Sequence, residues 1–208
     1  MCMEKELLAV ESGFKDGLDG YEGFRQDQEK TSLTIKGIFE SLDVWREERG
    51  LQRTVGNIAA NIGEEIVEYL RAENDEQRVD ALCDMFVFSV NAICAMDKFE
   101  YASLEINLCI SNPSIVTFTY MGEIIFCFSR IAEFGYTRHV ELLIRIVVCA
   151  KAQLEQLGYN FLIAMDETLK EIHSRTGAMN EVTGKWEKFK TEEAKALWYK
   201  ADYSKAKR

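Results

Sequence analysis

From Ala81 to Met96 the chain is apolar at almost every position, interrupted only by Asp84, Ser89 and Asn91. A helix that is apolar on all sides has to be enclosed by other elements. This segment therefore demands a fold in which several partners surround it. It also buries a carboxylate, Asp84, and a buried charge is costly unless something pairs with it. Neighbouring carboxylates cannot do so, because like charges repel. A hard cation such as Mg²⁺ suits a set of oxygen ligands.

The surrounding pattern is helical. Proline occurs once, at Pro113, and glycines fall at the ends of apolar-periodic segments. Together these predict an all-α chain. Spacing predicts a helix from about Thr31 to Arg49, stopped by Gly50, and a second from about Arg53 to Glu73. After a short Asn74-Asp75 turn a third runs from about Glu76 to Lys98. So short a link makes these two an antiparallel hairpin. Further helices are expected over about Tyr120 to Glu133, His139 to Gln156 and Asn160 to Thr176, ended by Gly135, Gly158 and Gly177. Residues 1–30 read as irregular, 99–118 as an irregular crossing and 178–208 as a basic arm. With no Pro/Ser linker, residues 1–208 read as a single domain: a helical bundle built on the hairpin, which carries an acidic metal site.

Hydrophobic residues make up 47% of the 208, ordinary for a chain with a core. The net charge of −10 argues against nucleic-acid binding through the whole surface. Between Gly184 and Arg208, eight Lys or Arg stand against four Asp or Glu, a basic tail on an acidic body. Its aromatics, Trp186, Trp198 and Tyr203, fit a docked arm better than a base-stacking surface. The six cysteines form no CxxC pair. Cys83, Cys94, Cys127 and Cys149 lie in apolar helical patterns, where a thiol acts as a small hydrophobe. A reducing cytoplasmic setting is expected, with no signal peptide and no membrane span.

A second acidic cluster precedes Asp80 and Asp84: Glu64, Glu65 and Glu68, in NIGEEIVEYLRA. At 100° per residue, Asn57, Asn61, Glu64, Glu65 and Glu68 share an arc of about 100°. Ile58, Ile62, Ile66 and Tyr69 fill the neighbouring arc. On the next helix Asp80, Asp84 and Asn91 also share a stripe. Packed antiparallel, the two stripes form a carboxylate cage with Asn61 and Asn91 at its rim.

This arrangement resembles the all-α nucleoside triphosphate pyrophosphohydrolases, the superfamily of MazG and the dimeric dUTPases. That family pairs ExxE on one helix with ExxD on the next, four carboxylates on Mg²⁺. Glu65-Ile66-Val67-Glu68 matches the first motif and Asp84 ends the second. Ala81 stands where the family has Glu, and Asp80, on a nearly equivalent face, is the substitute. The likeness covers about residues 40 to 97 well and 120 to 188 loosely. It implies a metal set of Glu65, Glu68, Asp80 and Asp84, with Glu64 or Glu65 as general base. It also implies Trp45 near the base, and Arg175, Asn180 and Lys185 near the phosphates. His173 lies next to that phosphate segment. The N-terminal Gln and Asn signature of a true dUTPase is absent.

The implied reaction is Mg²⁺-dependent hydrolysis of a nucleoside triphosphate to monophosphate and pyrophosphate, with Mn²⁺ a substitute ion. A homodimer is expected, without membrane or stable nucleic-acid partners. The alternatives are a nucleotide-sensing relative, which Ala81 makes plausible, and a non-enzymatic helical interaction protein. A ferritin-like di-iron bundle needs Glu-x-x-His pairs, and the chain has none.

Overall fold

Helix ends follow local chemistry. Thr34 caps α1 (Ile35–Glu48), its hydroxyl accepting from the Gly37 N–H, and Gly50 stops it at φ +58°. Asn74 caps α3 (Asp75–Ala95) by accepting from Gln77 N at 2.9 Å, while Gln77 Oε1 accepts from Glu73 N at 2.7 Å. Asp75 and Glu76 then lie in the first turn, where the helix dipole favours negative charge. Gly158, at φ +87°, ends α5 (Val140–Gln156). The remaining helices are α2 (Ile58–Arg71), α4 (Tyr120–Phe134), α6 (Phe161–Ser174) and α7 (Glu192–Leu197).

The computed structural model describes residues 33–50, 58–96, 98, 101–102, 105–106, 120–134, 140–180, 185–189 and 191–208. Among these the class is all-α: seven helices and one two-stranded sheet. The readings of residues 1–30, of Pro113 and its neighbours, of Gly135 and of His139 lie outside the described residues.

The chain divides into two compact units. The bundle unit comprises Arg53–Ala164 with Tyr203–Arg208. Here α2 packs on α3, α3 on α5, α5 on α4, and α4 on α2, closing a four-helix bundle. The hairpin link is three residues, 72–74, as expected of antiparallel neighbours. Helix α3 is buried on nearly all sides, with Val79, Leu82, Cys83, Met85, Phe86, Val90 and Ile93 in the core. Phe86 meets Phe161, ring centroids 5.0 Å apart. Gly63 lets α2 approach α4: a Cβ there would stand 3.0 Å from the Phe128 ring. Cys83, Cys94, Cys127 and Cys149 are buried free thiols, as their apolar setting required. Glu123 of α4 is buried against Arg145 of α5 at 2.6 Å and accepts from the Cys127 thiol.

The bundle is closed by the chain's end. A 3₁₀ helix, Tyr203–Ala206, packs on α3. Asn160 N donates to Ala206 O at 2.6 Å, and Arg208 N donates to Gly158 O at 2.8 Å.

The hairpin unit comprises Met1–Gln52 with Met165–Asp202. The sequence reading needs correcting here. Gly177 does not merely stop a helix, and the basic arm of residues 178–208 carries regular structure among its described residues. Gly177–Asn180 (β1) pairs antiparallel with Lys185–Lys188 (β2), Gly177 opposite Lys188. A Cβ on Gly177 would fall 2.4 Å from both Glu187 O and the Trp186 ring, so the close pairing needs glycine. The arm is docked, as its aromatics suggested. Trp198 Nε1 donates to Thr176 Oγ1 at 3.1 Å, and Tyr199 N donates to Ser174 Oγ at 2.9 Å. Buried Glu167 accepts from the Tyr199 hydroxyl and the Asp202 N–H.

Candidate functional site

The α2 sequence places its acids at the edge of its apolar face. Ile58, Ile62 and Ile66 are buried, and Glu65, three residues past Ile62, turns inward with them. Glu65 is 8% exposed, while Glu64 and Glu68 face water. On α3 Asp80 is exposed and Asp84 is half-buried. Sequence reasoning gave Asp84 the buried position; the structure gives it to Glu65. The cause is phase: Glu65 falls on the core side of the α2 stripe, and Asp84 on the less enclosed side of α3.

Burial first, and then the charges of Asp84, Glu68, Asp80 and Glu64 in that order, together raise the Glu65 carboxyl from 4.5 to about 8. No positive charge stands among these causes. The charges of four carboxylates on two helices thus act on one buried carboxyl. Asn61 and Asn91 are half-buried on the same two helices. The oxygen-only donor set fits a hard divalent cation. It is coupled through charge and not closed on one point: no three His, Cys, Asp or Glu side chains among the described residues are grouped so as to hold a metal ion.

Outside α2 runs a cleft of about 450 Å³, lined by Ala60, Gly63, Glu64, Val67, Glu68 and Arg71. Arg71 escaped the sequence reading. Its signal was available, since Glu64, Glu68 and Arg71 stand at i, i+4 and i+7 on one helical face. Tyr203, read from the sequence only as an aromatic of the docked arm, donates its hydroxyl to Asp80 Oδ1 at 2.7 Å.

The other four candidates belong to the hairpin unit. Trp45 is half-buried and meets Trp186 edge to face at 6.1 Å and 73°. The Arg49 guanidinium lies 5.0 Å from the Trp45 ring and 5.8 Å from that of Trp186, and donates to His173 O at 2.9 Å. Arg175 is paired with Glu171 at 2.9 Å, and Asn180 Nδ2 donates to Glu187 Oε1 at 3.0 Å. Lys185 stands opposite Asn180 in the strand register. His173 is not a phosphate contact in waiting. It is buried, its Nε2 3.0 Å from Ser41 Oγ, and burial with the nearby Arg49 charge lowers it from 6.5 to about 4. It is a neutral core histidine.

No described helix is long and apolar enough to cross a membrane. Compared with known proteins, the chain matches no family model, no curated protein and no solved structure.

Proposed function

We propose that this chain is a Mg²⁺-dependent nucleoside triphosphate pyrophosphohydrolase of the nucleotide pool, with its acidic site on the α2–α3 hairpin. One observation carries the reading. Glu65 sits in the bundle interior at about 8, raised by burial and four carboxylates. Such an arrangement holds a proton at neutral pH in a place that a cation would otherwise take. The ExxE motif of residues 65–68 and Asp84 supply the likeness to the all-α pyrophosphohydrolases.

Glu65, Glu68, Asp80 and Asp84 would hold the ion. When bound, Mg²⁺, or Mn²⁺ in its place, neutralises triphosphate charge and acidifies a water. As a ligand Glu65 would be ionised. Glu64, exposed in the α2 cleft, takes the proton of the attacking water as general base. An oxygen–phosphorus bond forms at the α-phosphate as the bond to pyrophosphate breaks. Arg71, in the same cleft, offsets charge on the departing group. Asn61 and Asn91 bound the site with amide donors. Trp45, Arg175, Asn180 and Lys185 belong to the other unit, and their roles toward base and phosphates rest on the family resemblance alone. Exposed Val67 and Leu70 on α2, with Ile125 and Phe126 on neighbouring α4, support a homodimer. Cytoplasmic nucleotide is the proposed substrate pool.

Ala81, standing where the family has Glu, favours a second reading: a nucleotide sensor without turnover. The experiment that decides offers the protein each common NTP and dNTP, with Mg²⁺ or EDTA, and resolves the products. Monophosphate plus pyrophosphate, formed only with Mg²⁺, is expected. Asp84→Asn should lose at least about a hundredfold of that rate. Folded protein without turnover on any of them removes hydrolysis of the common nucleotides and leaves the sensor.

A further inference from the structure

Asp80 is the weakest-placed of the four acids. It stands one residue from the family's Glu position, carries a shorter side chain and is exposed. An exposed Asp samples several rotamers, and fixing it as a ligand costs that freedom. Yet it is already held. Tyr203, 123 residues later, donates its hydroxyl to Asp80 Oδ1 at 2.7 Å, a short bond suited to an ionised acceptor. Tyr203 itself is 6% exposed.

The phenol's 3₁₀ helix packs on α3 and is also anchored elsewhere. Main-chain bonds tie its 3₁₀ helix to the α5–α6 junction, from Asn160 N to Ala206 O and from Arg208 N to Gly158 O. Tyr159 bridges Lys207, and the Arg208 guanidinium lies 3.3 Å from Glu155. A donor so fixed sets the direction of the carboxylate it binds. It is neutral and uses one of about four lone-pair sites of the carboxylate, so it orients Asp80 without replacing a cation. Such outer partners orient ligands in metal sites generally.

We propose that Tyr203 is a positioning residue for Asp80, making the C-terminal 3₁₀ helix part of the cation site. This rests on the reading of the acidic cluster given above. The test is Mg²⁺ titration of the full chain by calorimetry, without nucleotide, for wild type, Tyr203→Phe, Asp80→Asn and the double variant. Tyr203→Phe should weaken Mg²⁺ about tenfold and change the unfolding midpoint in EDTA little. In the Asp80→Asn background it should weaken Mg²⁺ no further. Wild-type affinity in folded Tyr203→Phe, or an equal loss in both backgrounds, overturns the proposal and leaves the cation site standing. Wild type that binds no Mg²⁺ overturns both. A second measurement keeps the hydroxyl: 3-fluorotyrosine at position 203 alone should shift its fluorine resonance along the calorimetric binding curve. A resonance unmoved at saturating Mg²⁺ overturns the positioning role.

Discussion

Replacing Glu65 with Gln should stabilise the metal-free protein increasingly as pH rises above about 4.5, and most at alkaline pH. The folded carboxyl titrates at about 8 against an ordinary 4.5, so between those values the folded state keeps a proton that the unfolded state has released. Stability therefore falls as pH rises from about 4.5 to about 8 and levels off beyond. For a fully dry group this span corresponds to roughly 5 kcal/mol, at 1.36 kcal/mol per pH unit. Glu64, Glu68 and Asp80 face water, which screens them, so about 2 kcal/mol is expected. In a chain of this size that moves the unfolding midpoint by about 4–8 °C. Thermal unfolding in EDTA at pH 4.5 and pH 9 measures it. Glu65→Gln should melt near wild type at pH 4.5 and higher at pH 9. With Mg²⁺ at pH 9 the order should reverse, because only wild type gains a ligand. A Gln variant that is less stable in EDTA at pH 9, or whose advantage ignores pH, refutes the reasoning.

Arg145→Ala strands the buried Glu123 carboxylate and should destabilise the bundle by about 2 kcal/mol, read from urea unfolding at neutral pH. Glu123→Gln together with Arg145→Ala should recover part of that loss. His173 is held near 4 in the fold against 6.5 unfolded, so its contribution is lost as pH falls from about 6.5 to about 4. Glu65 acts with the opposite sign over part of that window, so the comparison is made in the Glu65→Gln background, where adding His173→Gln should flatten the acid limb of the stability–pH curve.

Local chemistry made much of the fold legible. The all-round apolar segment from Ala81 demanded the enclosure that α3 receives from α2 and α5. Asn74 and Gly158 marked ends that the backbone confirms through a cap and a positive φ. The β1–β2 hairpin escaped because its strands are four residues long, largely polar and without clear alternation. It is specified by close packing at Gly177 and by the Trp198 and Tyr199 bonds beyond it. The acidic stripes were legible from helical phase. Which acid lies deepest was not, because it depends on what covers each helix, and Glu65 shares a face with Ile58 and Ile62. The Asp80–Tyr203 bond spans more than half the chain, and no periodicity announces it.

The central claim is that the α2–α3 carboxylates form one cation site. Calorimetric titration of Mg²⁺ into metal-free wild type and Asp84→Asn tests it most directly, with folding verified at each end point. The account predicts saturable binding to wild type and a loss of at least about tenfold in Asp84→Asn. Equal affinity in the two proteins, or no saturable binding to folded wild type, contradicts it.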